Sequence, residues 1–173
     1  MIHRAHRGYA LRLTASLLAS ASFAAHALDC AQEPGPREAV IAYGKAMQER
    51  RFEDAYDHVS KTMTDGRPRE EWAALQRKMF ELGGVELQDP DVRTPRRALV
   101  DGKCADVAQV PNVLRAKDVL NNQGSTEFEV YTVIFSDGAW RIDSQETLFD
   151  EPKIREWFPH DEIPAFQGTA PTN

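Results

Sequence analysis

Apolar residues in the first half of the chain recur at the spacing of a helix. Val40, Tyr43, Gly44 and Met47 fall on one face behind Pro36, which suits the first helical position because its missing N–H costs nothing there. The same periodicity returns twice before residue 83. The pattern predicts three helices: one that begins at Pro36, one from Phe52 to about Met63, and one from about Arg69 to Leu82.

The third of these helices has the clearest pattern. It carries Trp72, Leu75, Met79 and Leu82 at spacings of three, four and three, which places them on one apolar face. The pair Gly83-Gly84 is expected to end the helix, since glycine readily adopts the left-handed conformation of a helix cap.

From Val85 the apolar period changes to two, which indicates strands. Asp101-Gly102 and the Ser-Asp-Gly segment at 136–138 are turn sequences that favour hairpins. Pro111 and the residues up to Gly124 predict a long irregular connection. The strands are expected at 85–88, 96–100, 103–110, 126–135 and 139–148, so the fold class is α+β, with helices packed on an antiparallel sheet.

The strand at 126–135 has two chemically different faces. Phe128, Val130, Thr132 and Ile134 alternate with Glu127, Glu129, Tyr131, Val133 and Phe135. We expect the first set to meet the helices. The two glutamates are then predicted to be surface charges rather than a catalytic pair.

The N-terminus has the pattern of an export signal. A basic start is followed by an apolar run at 11–25 and by Ala25-His26-Ala27, a small-x-small cleavage sequence. Residues 1–27 are therefore predicted to be a cleaved signal peptide, and the protein to be periplasmic or secreted. The run is shorter than the about 20 apolar residues of a membrane span. A lipid anchor on Cys30 is disfavoured, because Leu28 and Asp29 separate it from the cleavage point.

Removing the signal peptide makes the chain more acidic. The segment holds three arginines and no acid, so the net charge falls from −6 to −9. This balance argues against nucleic acid as a partner, because phosphate backbones are bound by clustered Lys and Arg. The rest is expected to form a single α+β domain at 28–149 and a C-terminal extension at 150–173, partly disordered.

Two cysteines remain after cleavage, Cys30 and Cys104. In an oxidising compartment a disulfide between them is the favoured interpretation, and it would stabilise the fold by about 4 kcal/mol on the loop-entropy estimate. A metal site and a reactive thiol are the alternatives. No metal is expected, since His58 and His160 are not at ligand spacing from a cysteine.

The order of elements, together with several short segments, resembles the nuclear transport factor 2-like superfamily, in particular its small exported members without assigned activity. The segments are FEDAY at 52–56, EW at 71–72 with FELG at 80–83, and DGAWRI at 137–142. The resemblance covers about 36–148 and implies a cone-shaped fold in which the antiparallel sheet is curved. It also implies a possible homodimer, because sheet-to-sheet dimers are common in that superfamily.

Some members of that superfamily, such as ketosteroid isomerase and scytalone dehydratase, are enzymes that use Asp, His or Tyr in the mouth of the cone. Others only bind. The pocket candidates are mostly aromatic: Tyr43, Met47, Tyr56, Trp72, Phe128 and Trp140. No catalytic residue is expected among them, and no cofactor motif is present in the sequence.

We therefore expect an exported, non-catalytic binding module for a small apolar ligand or an envelope protein. Two alternatives stay open: an inhibitor or immunity-type protein acting on an envelope toxin or hydrolase, and an isomerase- or dehydratase-type enzyme. The C-terminal extension carries Ile154, Trp157, Phe158, Ile163 and Phe166. Packing of these side chains on the chain itself is favoured over an exposed docking strip.

Overall fold

The computed structural model describes Cys30 and residues 35–164. Three helical segments come first, six antiparallel strands follow, and one short helix closes the described part of the chain. The helices are α1 (Pro36–Gln48), α2 (Phe52–Ala55, continued as a 3-10 turn over Tyr56–His58), α3 (Arg69–Gly83) and α4 (Glu151–Trp157). The strands are β1 (Glu86–Leu87), β2 (Asp91–Val92), β3 (Arg96–Val100), β4 (Lys103–Lys117), β5 (Ser125–Ser136) and β6 (Ala139–Leu148).

The second helix is shorter than its sequence pattern predicts. It ends before Val59, which adopts an extended conformation and forms a parallel bridge to Ile142 on β6. The N–H of Ser60 donates to the carbonyl of Ile142 at 2.8 Å, and its hydroxyl donates to Asp143 at 2.7 Å. These bonds tie the chain to the sheet where the apolar periodicity alone would extend the helix.

The helix α3 buries only part of its apolar surface. Trp72 and Phe80 are buried against α2 and its 3-10 turn, with Phe80 packed on Phe52 at 5.0 Å between ring centroids. Leu75, Met79 and Leu82 are 39%, 50% and 73% exposed. The apolar arc is therefore wider than the surface that the described elements cover.

The sheet is antiparallel and has β4 at its centre. β4 pairs with β1, β2 and β3 along one edge and with β5 along the other, and β5 pairs with β6. Register shifts between Arg97 and Leu99 and between Thr132 and Val133 mark bulges. Bulges increase local twist, so the long strands curl into a half-barrel.

Strand β4 continues through Pro111, where the sequence suggests an irregular connection. The carbonyl of Pro111 accepts from the N–H of Arg93 at 2.8 Å. The N–H and C=O of a strand residue point the same way, so the missing proline N–H lies toward the gap between β2 and β3. Pairing with β5 is thus unaffected, and Pro111 stays in register with Val130.

The two faces of the sheet carry separate apolar cores. The inner core lies between the helices and the sheet and includes Val40, Phe52, Tyr131 and Ile142. The outer core joins Phe128 and Val130 of β5 to α4. Its buried members are Val113, Phe128, Val130, Leu148, Ile154 and Phe158.

This division corrects the predicted orientation of β5. Glu129 and Tyr131 point toward the helices, and Phe128 points away from them. The reason is that α4 covers the outer face with its own apolar residues, so both faces of β5 need apolar side chains. The C-terminal extension packs on the chain itself, as the sequence favours, through Ile154 and Phe158.

Cys30 and Cys104 form the expected disulfide, with their Cα atoms 5.5 Å apart. The predicted signal peptide at 1–27 and the tail at 165–173, including Phe166, lie outside the described residues. In the part of the chain that the structure describes, no helix is long and apolar enough to cross a membrane.

Candidate functional site

A cavity of about 190 Å³ lies between α1, the β1–β2 segment and the inner face of the sheet. We call it the cone pocket. Its apolar walls include Val40, Met47, Phe80, Leu87 and Pro90. Its polar side chains come from α1, the segment 88–89 and the three longest strands: Tyr43, Gln88, Asp89, Asn112, Tyr131 and Gln145.

Local sequence explains how α1 forms one wall. Val40, Tyr43 and Met47 share a face because they are three and four residues apart. Gly44 lies on the same face, where a Cβ atom would come within 2.9 Å of the Pro90 side chain. The missing side chain thus lets α1 approach the β1–β2 segment closely.

The sheet contributes a polar cluster around Glu129, which is fully buried. Asn112 lies directly across from Glu129 in the β4–β5 register, and Tyr131 lies across from Gln145 on β6. The Nδ2 of Asn112 donates to Glu129 Oε2 at 3.0 Å, and the Tyr131 hydroxyl donates to the same oxygen at 2.9 Å. Gln145 Nε2 donates to Oε1.

Burial governs the electrostatics of this cluster. Desolvation raises the pKa of Glu129, although the hydrogen bonds from Asn112, Tyr131 and Gln145 oppose the change. Burial and the nearby Glu129 raise the pKa of Tyr43 to about 12 and that of Tyr131 well above 10.0. Both phenols therefore keep their protons at neutral pH, and that of Tyr131 is donated to Glu129.

Asn112 and Tyr43, which both line the cone pocket, each have a side-chain oxygen without a partner among the described residues. Asn112 is only 4% exposed, and its Oδ1 atom is buried without a hydrogen bond. An unsatisfied buried acceptor costs about 1–3 kcal/mol. The hydroxyl of Tyr43 forms no hydrogen bond within the described part of the chain, and its ring meets Tyr131 edge-on at 6.4 Å.

The six aromatic and methionine candidates from the sequence lie in different places. Tyr43 and Met47 line the cone pocket. Tyr56 and Trp72 stack edge-to-face in the helical part of the core, 5.8 Å apart. Phe128 packs on Phe158 at the outer face, and Trp140 packs on Phe135 and under the guanidinium of Arg97.

The sequence does not reveal the polar wall of the cone pocket, by which we mean Asn112, Tyr131 and Gln145 with Glu129 behind them. It assigned Glu129 to the surface, whereas the side chain has no exposed area. It placed Asn112 in a loop, because Pro111 precedes it, and made no use of Gln145. The alternation Glu129-Val130-Tyr131 was the available signal, since it places a carboxylate and a phenol on the same face of β5.

A larger groove of about 430 Å³ lies between the segment after α2 and the β5–β6 hairpin. Several of its polar groups are engaged with one another. Ser60 donates to Asp143 at 2.7 Å, and Arg141 donates to the carbonyl of Ser136 at 2.6 Å. The buried, unpaired Oδ1 of Asn112 belongs to the cone pocket and not to this groove, so the cone pocket is the better candidate site.

The sequence matches no protein-family model and no curated protein. Solved structures do match. A SEC-C motif containing protein from Rhodopseudomonas palustris aligns with a TM-score of 0.50 and 11% identity, over 70% of this chain and 83% of that one. A domain of unknown function with a cystatin-like fold from Nostoc punctiforme aligns with a TM-score of 0.48 and 19% identity, over 71% of this chain and 80% of that one.

A ketosteroid isomerase-like protein from Erwinia carotovora atroseptica gives a TM-score of 0.44 and 18% identity, over 66% of this chain and 95% of that one. The structure of Bd1075 from Bdellovibrio bacteriovorus also matches, and this chain spans only 38% of the length of that protein. At such identities a likeness concerns the fold alone. The chain has an α+β fold in which helices pack on a curled antiparallel sheet, consistent with nuclear transport factor 2-like and cystatin-like architectures.

Proposed function

We propose that the protein is an exported binding module of the nuclear transport factor 2-like superfamily, and that its cone pocket takes a small, largely apolar molecule. The observation that carries the proposal is the unpaired Oδ1 of Asn112 in the wall of a mostly apolar cavity. A few polar groups in an apolar cavity are typical of small-molecule sites.

The position of Glu129 favours binding over catalysis. The carboxylate has no exposed surface, and its hydrogen bonds go to Asn112, Tyr131 and Gln145, which themselves line the pocket. A general base must reach the proton that it removes. Glu129 lies behind the lining side chains, so its role is to orient them.

Ligand-dependent stabilisation tests this function. A ligand that binds only the folded state stabilises it by about 2.7 kcal/mol at one hundred times its Kd. We expect a library of small apolar compounds to contain members that raise the melting temperature, and nuclear magnetic resonance shifts to map to Tyr43 and Met47.

A matched pair of variants locates the binding site. Gln88 is exposed at the rim of the cone pocket, so Gln88→Trp should fill the mouth and abolish the ligand-induced stabilisation. Gln123 is exposed on the β4–β5 connection, and Gln123→Trp should leave it unchanged. Equal ligand responses of the two variants, or no responding compound at all, would refute the proposed site.

An isomerase- or dehydratase-type enzyme is the second candidate. It is favoured by the contact between the buried Glu129 and the Tyr131 hydroxyl, because a carboxyl with a raised pKa beside a phenol suits proton transfer. In that case Glu129→Gln should abolish turnover of a bound compound while its affinity stays within a few-fold. Turnover that survives Glu129→Gln would exclude Glu129 as the catalytic group, and no turnover of any bound compound by the unmodified protein would exclude the enzyme.

Export rests on the sequence of residues 1–27 and is consistent with the disulfide. N-terminal sequencing of the protein recovered from the bacterial periplasm or medium should begin at Leu28. A chain recovered only from the cytoplasm with Met1 intact would contradict export.

A further inference from the structure

We propose that the cone pocket selects an uncharged, single-ring ligand that carries an N–H or O–H donor, and that Asn112 Oδ1 accepts the hydrogen bond from that donor. The inference rests on the proposed binding function and specifies its ligand class. Three observations carry it: the volume of the cavity, the orientation of the Asn112 amide, and the charge of the pocket lining.

Volume limits the ligand to about one ring. The cone pocket measures about 190 Å³. An apolar protein cavity of about 150 Å³ accommodates benzene. A monocyclic aromatic compound with one or two substituents therefore fits, whereas a steroid-sized molecule exceeds the space between α1 and the sheet.

The amide of Asn112 determines which polar group the ligand needs. Its Nδ2 donates to Glu129 Oε2, an oxygen that also accepts from Tyr131. This bond fixes the amide with its NH₂ group toward the carboxyl. Oδ1 is left as an acceptor with almost no accessible surface, on a side chain that lines the pocket. Only a donor can satisfy it, and a ligand reaches it by displacing the side chains that cover it.

The charges around the cavity exclude an anionic ligand. Among the described residues that line it, no side chain is cationic, and Asp89 lies at the exposed rim. Glu129 lies directly behind the polar wall. A carboxylate or phosphate would lose its hydration without gaining a positive partner, which is strongly unfavourable. The free Tyr43 hydroxyl provides a second neutral polar contact.

Phenol and toluene test the donor requirement in the intact protein, because they have nearly the same size and differ by a hydroxyl in place of a methyl group. Toluene is the more hydrophobic, so an apolar cavity without a polar contact would prefer it. We expect phenol to bind at least about tenfold more tightly by titration nuclear magnetic resonance, a difference of about 1.4 kcal/mol. Benzoate should not bind.

Variants then assign the contact to one side chain. Asn112→Leu has a similar volume and no acceptor, so it should abolish the preference for phenol while toluene binding is retained. Gln123→Leu, on the exposed β4–β5 connection, should keep the preference. Retention of the preference in a folded Asn112→Leu variant would refute the role of Asn112. If Asn112→Leu does not fold, the phenol–toluene comparison on the unmodified protein still decides the donor requirement.

The outcomes separate this inference from the binding function. If toluene binds as tightly as phenol and Gln88→Trp blocks both, the binding function stands and the donor requirement is wrong. If benzoate binds competitively with phenol, the exclusion of anions is wrong. If neither ring compound binds and no library compound responds to Gln88→Trp, the binding function itself fails.

Discussion

Glu129 lies at the centre of the inner face of the sheet, where three side-chain donors hold its carboxyl. Burial of a carboxylate is costly unless hydrogen bonds compensate for the lost water. Here the partners come from three strands, so the arrangement exists only when β4, β5 and β6 are in register. The hydrogen bond to Glu129 in turn holds the Asn112 side chain at the cone pocket.

The raised pKa of Glu129 predicts a specific pH dependence of stability. Between its ordinary pKa of 4.5 and the higher pKa in the fold, the folded protein binds more protons than the unfolded chain. The contribution of this group to the free energy of unfolding is therefore greatest below pH 4.5 and declines as the pH rises through that window. Glu129→Gln should remove the decline.

Urea denaturation at a series of pH values measures this effect. Glu81 is exposed on α3, so Glu81→Gln serves as the matched control and should keep the slope of the unmodified protein. An unchanged slope in Glu129→Gln would mean that the carboxyl does not titrate with a raised pKa in the folded state.

The elements that differ most from their sequence pattern are those whose apolar faces depend on a distant partner. On α3 the spacing of Trp72, Leu75, Met79 and Leu82 predicts one apolar face, yet the adjoining α2 covers only part of it. On β5 the alternation of side chains predicts two faces correctly, but the face with Phe128, which is expected to meet the helices, lies on the outer side of the sheet. Periodicity identifies faces, and only the packed neighbour decides which face is buried.

Substitutions on α3 should show this difference in stability. Leu82 is 73% exposed, so Leu82→Ser should change the free energy of unfolding by no more than about 0.5 kcal/mol. Phe80 is buried against Phe52, and Phe80→Ala should cost about 3–5 kcal/mol. Chemical denaturation measures both. A loss at Leu82 comparable to that at Phe80 would show that its side chain is buried in solution.

Helix α4 makes the outer face of the sheet a second core. The Asp150 carboxylate accepts from the N–H of Lys153 and caps the helix, while Ile154 and Phe158 pack on Phe128 and its neighbours. The guanidinium of Arg96 lies 3.8 Å from the centre of the Trp157 ring and adds a contact at the edge. The extension is therefore part of the folded domain as far as these residues.

Adjacent substitutions in α4 separate core packing from surface charge. Ile154 is fully buried, and Ile154→Ala should lower the free energy of unfolding by about 2–5 kcal/mol because it leaves a cavity over β5. Lys153 forms an exposed ion pair with Glu146, so Lys153→Ala should cost less than about 1 kcal/mol. Equal effects in guanidinium denaturation would contradict packing of α4 on the sheet.

At the scale of the whole molecule, the disulfide connects the residues before α1 to the central strand. Cys30 and Cys104 are 74 residues apart, and the bond spans all the helices of the N-terminal half. A cross-link of this span restricts the unfolded chain by about 4 kcal/mol in the loop-entropy account.

Replacing both cysteines by serine should lower the free energy of unfolding by about 4 kcal/mol. Adding a reductant to the unmodified protein should have a similar effect in equilibrium denaturation, and it should leave the double variant unchanged. Two free thiols in purified, exported protein, or equal stability of the oxidised and reduced protein, would contradict a stabilising disulfide.

The sequence by itself determined the fold class, the order of the three N-terminal helices and of the long strands, both hairpin turns and the cysteine pair. These features depend on local periodicity, turn residues and a single possible pairing, all of which are written within short segments. The sequence also identified Tyr43 and Met47 through the helical spacing of α1.

Only the tertiary structure decided the polar wall of the cone pocket. Asn112, Glu129 and Gln145 lie on three different strands, and their contacts arise from strand register rather than from spacing along the chain. The burial of Glu129 also required α4 to cover the opposite face of β5, so that the polar side could turn inward. Such contacts depend on which surfaces meet, a property that a linear pattern of apolar and polar residues does not contain.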